Sequence, residues 1–443
     1  MGGRVRKTTL SLFLVGVFSI YSGVVNAGDL DREVRSASKH GFNEKRLDVL
    51  HQGMAQLVED EKRVGFVYAV ARDGKLITQR AVGWQDRENQ IPMAEDTIFR
   101  VFSLTKPITT VAALRLMEQG SIDLADPVEK YIPAFANPVV LTGFAEDGTP
   151  LTEPAQDSIR LIHLVTHTAG LGYAFDYPKA LNVDREQVMG LNVPMSDGLN
   201  YLASIPLLFH PGTDWEYGLN IDVLGHVIEL VTGKPLDVAL KELVLDPLGM
   251  TDTGFFVPSE KRSRLVEGYD LGTDGKLLRG TDRLPKSGDY LNADATMYSG
   301  GGGLTSTVRD MLRFTQMLLN KGTLEDIQLL SPTTVNMMTS RQVSAEIAPI
   351  RDKYPVGSDM WRIFSGYTYG WGLNVLDDPT TAMRPATAES FMKDGLADIY
   401  FLGDPDNRLA MIMFTQYRIN LTDQVPESVW DSFQTLVYQA LSE

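Results

Sequence analysis

Ser103-Leu104-Thr105-Lys106 places a hydroxyl and an amine one helical turn apart, at the head of an apolar run that includes Val111-Ala112-Ala113-Leu114 and Leu116-Met117. Residues three apart share a helix face, so the two side chains would meet. The positive end of the helix dipole favours both an alkoxide and a neutral amine at that position, which suits a lysine-activated serine nucleophile. The same four letters also describe an N-cap serine beside a solvated lysine. Context favours the first reading. Ile98-Phe99-Arg100-Val101-Phe102 reads as an extended apolar lead-in, and the run after Lys106 reads as a buried helix ended by Gly120. A buried helix whose first turn carries Ser103 and Lys106 is a candidate catalytic site.

The chain has 443 residues and a formal net charge of −16. Arg4, Arg6 and Lys7 precede an uncharged apolar stretch from Leu10 to Val25, and Val25-Asn26-Ala27 follows. This pattern predicts a signal peptide over residues 1–27, cleaved after Ala27. The stretch is short for a spanning helix and is broken by Gly16, Ser19, Ser22 and Gly23, so no stable membrane anchor is expected after cleavage. The expected location is periplasmic or secreted. The acidic balance argues against a nucleic-acid partner, whose phosphates it would repel. The absence of cysteine excludes disulfides, thiol catalysis and thiolate metal sites, so stability must come from the core.

Outward from Ser103, the N-terminal side begins with Leu47, Val49, Leu50, Met54 and Leu57 at helical spacing. Gly65 to Val70 and Lys75 to Val82 flank Asp73-Gly74, a strong hairpin signal, so an antiparallel sheet is expected to start there. From Asp123 onward the texture changes to Pro-punctuated loops and helices, among them Leu224 to Val231 capped by Gly233. Gly300-Gly301-Gly302-Gly303 reads as a turn opening a helix through Met311 and Leu319. Two apolar runs, Asp398 to Leu402 and Leu409 to Phe414, flank Gly403-Asp404-Pro405-Asp406-Asn407 as a second hairpin, and Ser428 to Leu441 reads as a closing helix. Strands at both ends with helices between them predict a discontinuous α/β domain, 28–122 and 290–443, split by a mostly helical one, 123–289.

Other chemistries fit less well. The six histidines all lie at or before His226, and no Gly-x-Ser-x-Gly elbow exists, so an α/β-hydrolase triad is weakly supported. His163 and His167 stand at helical spacing without the glutamate a zincin needs, and are read as structural, His167 closing a helix. The glycine run lacks the Lys-Ser/Thr of a phosphate loop.

Several landmarks now stand in order: Ser103-Leu104-Thr105-Lys106, His167-Thr168-Ala169-Gly170-Leu171, Pro211-Gly212-Thr213-Asp214-Trp215-Glu216-Tyr217, Pro247-Leu248-Gly249-Met250, Asp252-Thr253-Gly254-Phe255 and Gly301-Gly302-Gly303-Leu304. Together they resemble the class C β-lactamase-related serine hydrolases, and within them the esterases of β-lactamase fold called family VIII carboxylesterases. The likeness runs from about residue 45 to residue 440. It implies an α/β (α+β) fold like that of β-lactamases and penicillin-binding proteins, an antiparallel sheet flanked by helices with an inserted all-α domain.

The resemblance also implies a tyrosine-led second motif, where Tyr217-Gly218-Leu219 stands, its phenol sharing the proton traffic with Lys106. Whether Lys106 or Tyr217 is the base stays open. The lactamase pattern has Asn at the third position; Leu219 would offer a substrate only apolar contact, with Asn220 one step too late. Lys393-Asp394-Gly395 fits the third motif, on a strand edging the pocket, where relatives resemble Lys-Thr-Gly or Trp-Gly-Gly. Lys393 would steer a substrate carboxylate or be an ordinary edge-strand lysine, and Gly395 would let the backbone approach so that the Leu396 and Ser103 amides form an oxyanion hole. An acidic Asp394 beside that hole has no account at this level. The expected protein is a monomeric serine carboxylesterase acting on a small-molecule ester through an acyl-enzyme on Ser103, with no metal or other cofactor. The alternatives are a β-lactamase or D,D-peptidase and, further off, a sensor that acylates without turnover. Tyr173, Phe175, Tyr177 and Trp361 fit pocket walls and ordinary packing equally well.

Overall fold

Asp73 and Gly74, both at positive φ (54° and 71°), turn the chain tightly between β1 (Gly65–Arg72) and β2 (Lys75–Asp86). The computed structural model describes residues 29–189, 193–272, 275–280, 291, 297–356, 358–417 and 429–442. The expected signal segment and the domain boundary at 289–290 lie outside them. A short β3 (Ile91–Pro92) follows β2, and the remaining sheet strands come from the other end of the chain: β4 (Tyr367–Tyr369), β5 (Asn374–Leu376), β6 (Phe391–Gly395), β7 (Ile399–Asp404) and β8 (Leu409–Phe414). The sheet order is β4-β5-β6-β7-β8-β1-β2-β3, antiparallel throughout, and β8 closes on β1 with Ala69 opposite Ile412.

The run Leu409 to Phe414 is apolar without alternation because both sheet faces are covered. Ala410, Ile412 and Phe414 enter one core, while Leu409, Met411 and Met413 enter the other. The second face is covered by α1 (Glu44–Glu59), started by the Asn43 side chain accepting from the Arg46 amide, and by α5 (Val429–Ala440). The first is covered by α2 (Thr105–Glu118) and α4 (Val308–Leu319). Every residue of α2 from Thr105 to Leu114 is buried, which explains why that helix carries no polar stripe.

Between the two sheet-forming segments lie short helices, including Leu161–Val165 and Met195–Ala203, and the longer α3 (Asn220–Thr232), stopped by Gly233 at φ 65°. The inserted region is not purely helical. Val139–Phe144 pairs with Pro150–Pro154, and Tyr269–Leu271 with Leu277–Arg279. Nor does the core divide at residue 123: Val223, Leu224 and Val227 of α3 share one apolar cluster with Val111 and Leu114 of α2. Among the described residues, no helix is long and apolar enough to cross a membrane, and no group of three or more potential metal ligands gathers.

Candidate active site

The apolar lead-in forms a short strand, Phe99–Arg100, paired with Thr305–Ser306 beyond the glycine run. Phe102 then takes φ 43°, a costly angle for a side chain with a Cβ, and the 3-10 turn Phe102–Leu104 delivers Ser103 to the head of α2. Lys106 Nζ lies 3.3 Å from Ser103 Oγ, 3.1 Å from the Tyr173 hydroxyl and 2.8 Å from the Gly301 carbonyl oxygen. The lysine is fully buried. Loss of hydration pushes its pKa down to about 7; the nearby Asp222 carboxylate opposes that shift, Lys393 reinforces it and Asp394 opposes it.

Tyr217 ends the loop before α3, and two ammonium groups flank its ring: Lys106 Nζ at 4.6 Å and Lys393 Nζ at 4.7 Å from the ring centroid. Its hydroxyl is buried without a hydrogen-bond partner of good geometry, although Ser103 is close enough to pull its pKa downward. Burial dominates and raises the phenol well above its usual value, with Asp394 adding to the rise.

His167, at φ 58°, stacks under the Tyr217 ring with centroids 4.7 Å apart and an interplanar angle of 28°. Its Nδ1 accepts from the Gly218 amide at 3.3 Å and faces Asn220 Nδ2 at 2.9 Å, so the proton of the neutral ring sits on Nε2. Burial, then the charges of Lys106 and Lys393, hold its pKa well below the usual histidine value. Asn220 Nδ2 also donates to the Leu171 carbonyl, at 3.0 Å. The amide therefore braces the loop from inside instead of reaching toward a substrate. Leu219 is 2% exposed and packs in the main core, which corrects the expected open apolar contact to a packing position.

On β6, Lys393 is not an edge-strand lysine: the strand is third in the sheet, and the ammonium group is buried 3.0 Å from Asp394 Oδ1. That pairing supplies the account Asp394 lacked. Asn374 Nδ2 stands 3.5 Å from the same oxygen. A Cβ on Gly395 would come within 2.8 Å of the Val101 carbonyl and 2.6 Å of the Ile399 side chain, so only glycine lets β6 approach the Ser103 turn this closely. Leu396 follows in the turn to β7, where Asp398 at φ 57° forms a fully buried ion pair with Arg63, Nε to Oδ2 2.7 Å. The Ser103 amide lies in the 3-10 turn ahead of α2, and the Leu396 amide directly after Gly395 at the end of β6.

A family model described as Beta-lactamase matches residues 50–427. The chain belongs to the β-lactamase family. Esterase EstB of Burkholderia gladioli is 32% identical to this enzyme over 385 residues, covering 84% of this chain and 89% of EstB. Lovastatin esterase of Penicillium rubens is 32% identical over 328 residues, covering 70% of this chain and 79% of its own. The solved structure of EstCE1, described as a hydrolase with promiscuous acyltransferase activity, is similar with a TM-score of 0.72 at 28% identity, covering 89% of this chain and 99% of EstCE1. At family level this β-lactamase-family enzyme is a serine ester hydrolase.

Sequence reasoning left three features of the enzyme's site unread. Tyr173, which in the sequence fits a pocket wall and ordinary packing equally well, accepts from Lys106 Nζ through its hydroxyl, while Phe175, 70% exposed, stacks on it at 5.4 Å. Tyr177 and Trp361 stand further off: the Tyr177 hydroxyl takes the Gly172 amide at 3.3 Å, and Trp361 lies beside Arg351. The glycine run is more than a turn before a helix, since Thr109 Oγ1 donates to the Gly300 carbonyl at 2.8 Å and the Leu304 amide donates to Thr105 Oγ1 at 3.1 Å. Four adjacent glycines, with Thr105 and Thr109 set in a mostly apolar helix, are the available signal. Arg63 and Asp398, 335 positions apart, carried none.

Proposed function

We propose that this enzyme cleaves carboxylic esters, short-chain ones first, through an acyl-enzyme on Ser103. The observation that carries the reading is the buried Lys106 amine, 3.3 Å from Ser103 Oγ with a pKa near 7. At neutral pH much of it is uncharged and able to take the serine proton as Oγ attacks the ester carbonyl. Tyr217 is a phenol at rest, because burial raises its pKa, and it relays the proton that Lys106 took, giving its own to the departing alkoxide as it receives the lysine's. The tetrahedral oxyanion is held by the Ser103 and Leu396 amides, and water then releases the acyl group. These steps call only on side chains, amides and water.

The preference for esters over lactams follows from two groups being occupied. Lys393 is tied to Asp394 and so is a poor receptor for a substrate carboxylate, and Asn220 is engaged with His167 and Leu171. The names of EstB and lovastatin esterase point the same way. The pattern over residues 1–27 supports export to the periplasm or beyond, and a monomer suffices for this chemistry.

The test is a comparison of initial rates on a short-chain p-nitrophenyl ester and a chromogenic cephalosporin, with Ser103→Ala alongside. Ester turnover should dominate, and the variant should lose at least about 10³-fold in kcat/KM with its fold intact. Retained activity in Ser103→Ala, or faster lactam opening than ester cleavage, overturns the proposal.

A further inference from the structure

Asp222 sits in the first turn of α3, 2% exposed, and belongs to none of the motifs that carry the proposed reaction. Its Oδ1 accepts from Ser299 Oγ at 2.5 Å and from the Gly301 amide at 3.1 Å. The carbonyl of that same Gly301 accepts from Lys106 Nζ at 2.8 Å. A Cβ on Gly301 would collide with Asp222 Oδ2, so the carboxylate lies flush on the glycine and no larger residue fits between them. One residue of backbone thus separates a buried carboxylate from a buried amine.

We propose that Asp222 is a positioning residue for Lys106: it clamps Gly301 by its N–H, so that the Gly301 carbonyl holds the lysine amine against Ser103, and it places a compensating negative charge across that residue. The inference rests on the reading of Ser103 and Lys106 as the reacting pair. A neutral acceptor would satisfy the Ser299 hydroxyl and the Gly301 amide equally well, whereas a buried carboxylate is costly without a cation nearby. The groups facing Lys106 are Asp222 from α3, Lys393 and Asp394 from β6, and the neutral Ser103, Tyr173, Tyr217 and His167. With Asp222 ionised, two lysines stand against two carboxylates. Without it, two lysines face one, and the Lys106 ammonium becomes harder to keep.

Two variants separate charge from clamp. Asp222→Asn keeps the shape and an acceptor oxygen but removes the charge, so Lys106 should lose its proton at lower pH. The acid limb of kcat/KM on the p-nitrophenyl ester should then move down by about 0.5–1 pH unit. Asp222→Ala removes the clamp as well, and kcat should fall by about 10²-fold with KM little changed, as for a nucleophile–base pair held slightly out of place. A purely structural role would lower the melting temperature of both variants without moving the limb. Ser103→Ala, run in parallel, guards the underlying reading: if it retains activity, that reading fails. If it is inactive while the Asp222→Asn profile superimposes on that of the parent, or moves to higher pH, the role of Asp222 is overturned and the reading stands.

Discussion

Lys106 shows how a single residue sets function against stability. Its ammonium form is stripped of water, which is why burial brings the group from an ordinary lysine value to about 7. Between about 7 and the unfolded value near 10.5, the unfolded chain holds a proton that the folded chain has released. Stability therefore rises across that window and is lowest below it. Lys106→Met should abolish hydrolysis, and its stability should lack the rise that the parent gains from this group between about pH 7 and pH 10. Thermal unfolding of parent and variant at several pH values checks this; an unchanged difference in melting temperature between about pH 6 and pH 9 would contradict it. The Ser103–Lys106 relation was legible in the chain because a separation of three residues is fixed by helix geometry alone. The Tyr173 contact was not, because it joins residues 67 positions apart and depends on how the loop after His167 packs.

Three site-forming elements share a local device. Phe102, His167 and Asp398 all take positive φ, and each opens or closes a turn beside a candidate group: Ser103, the imidazole under Tyr217, and the Leu396 amide proposed for the oxyanion hole. Such angles persist only where surrounding contacts outweigh their cost. For the last turn the contact is the Arg63–Asp398 pair, both side chains 1% exposed, with Arg63 also 4.0 Å above the Tyr417 ring. Arg63→Met strands a buried carboxylate and should cost about 3–5 kcal/mol of stability. Its kcat should fall further than its KM rises, because the turn carrying the Leu396 amide loses its anchor. A kcat per folded molecule equal to the parent's would show that the turn holds itself. At this scale the Asp73-Gly74 hairpin and the helix stops at Gly120 and Gly233 could be read directly from turn and cap chemistry. β4 and β5 could not, being three residues each, too short for any alternation to show.

Across the whole molecule, strands from the two ends of the chain meet in one sheet, and α5, which brings no residue to the site, covers one face of it. Trp430, Phe433 and Val437 of α5 are all fully buried against the second sheet face, beside Tyr68, Tyr400 and Met413. Truncation after Tyr417 would leave that face open to water. We expect loss of soluble, active protein even though Ser103, Lys106, Tyr217 and Lys393 all remain; recovery of a folded, active fragment by size-exclusion chromatography and ester assay would show the sheet to be self-sufficient.

By itself, the sequence determined the punctuation, the helical and strand periodicities and the order of motifs that assigns the chain to its family. These are short-range properties, set by dihedral preference and side-chain spacing. Only the tertiary structure decided that Asn220 braces a loop, that Lys393 is paired with Asp394, that Leu219 packs in the core and that Asp222 reaches Lys106 through Gly301. Hydration loss and charge balance at Lys106 belong to a volume enclosed by residues from α2, α3, β6 and two loops. That volume does not exist until they pack together, so no reading along the chain contains it.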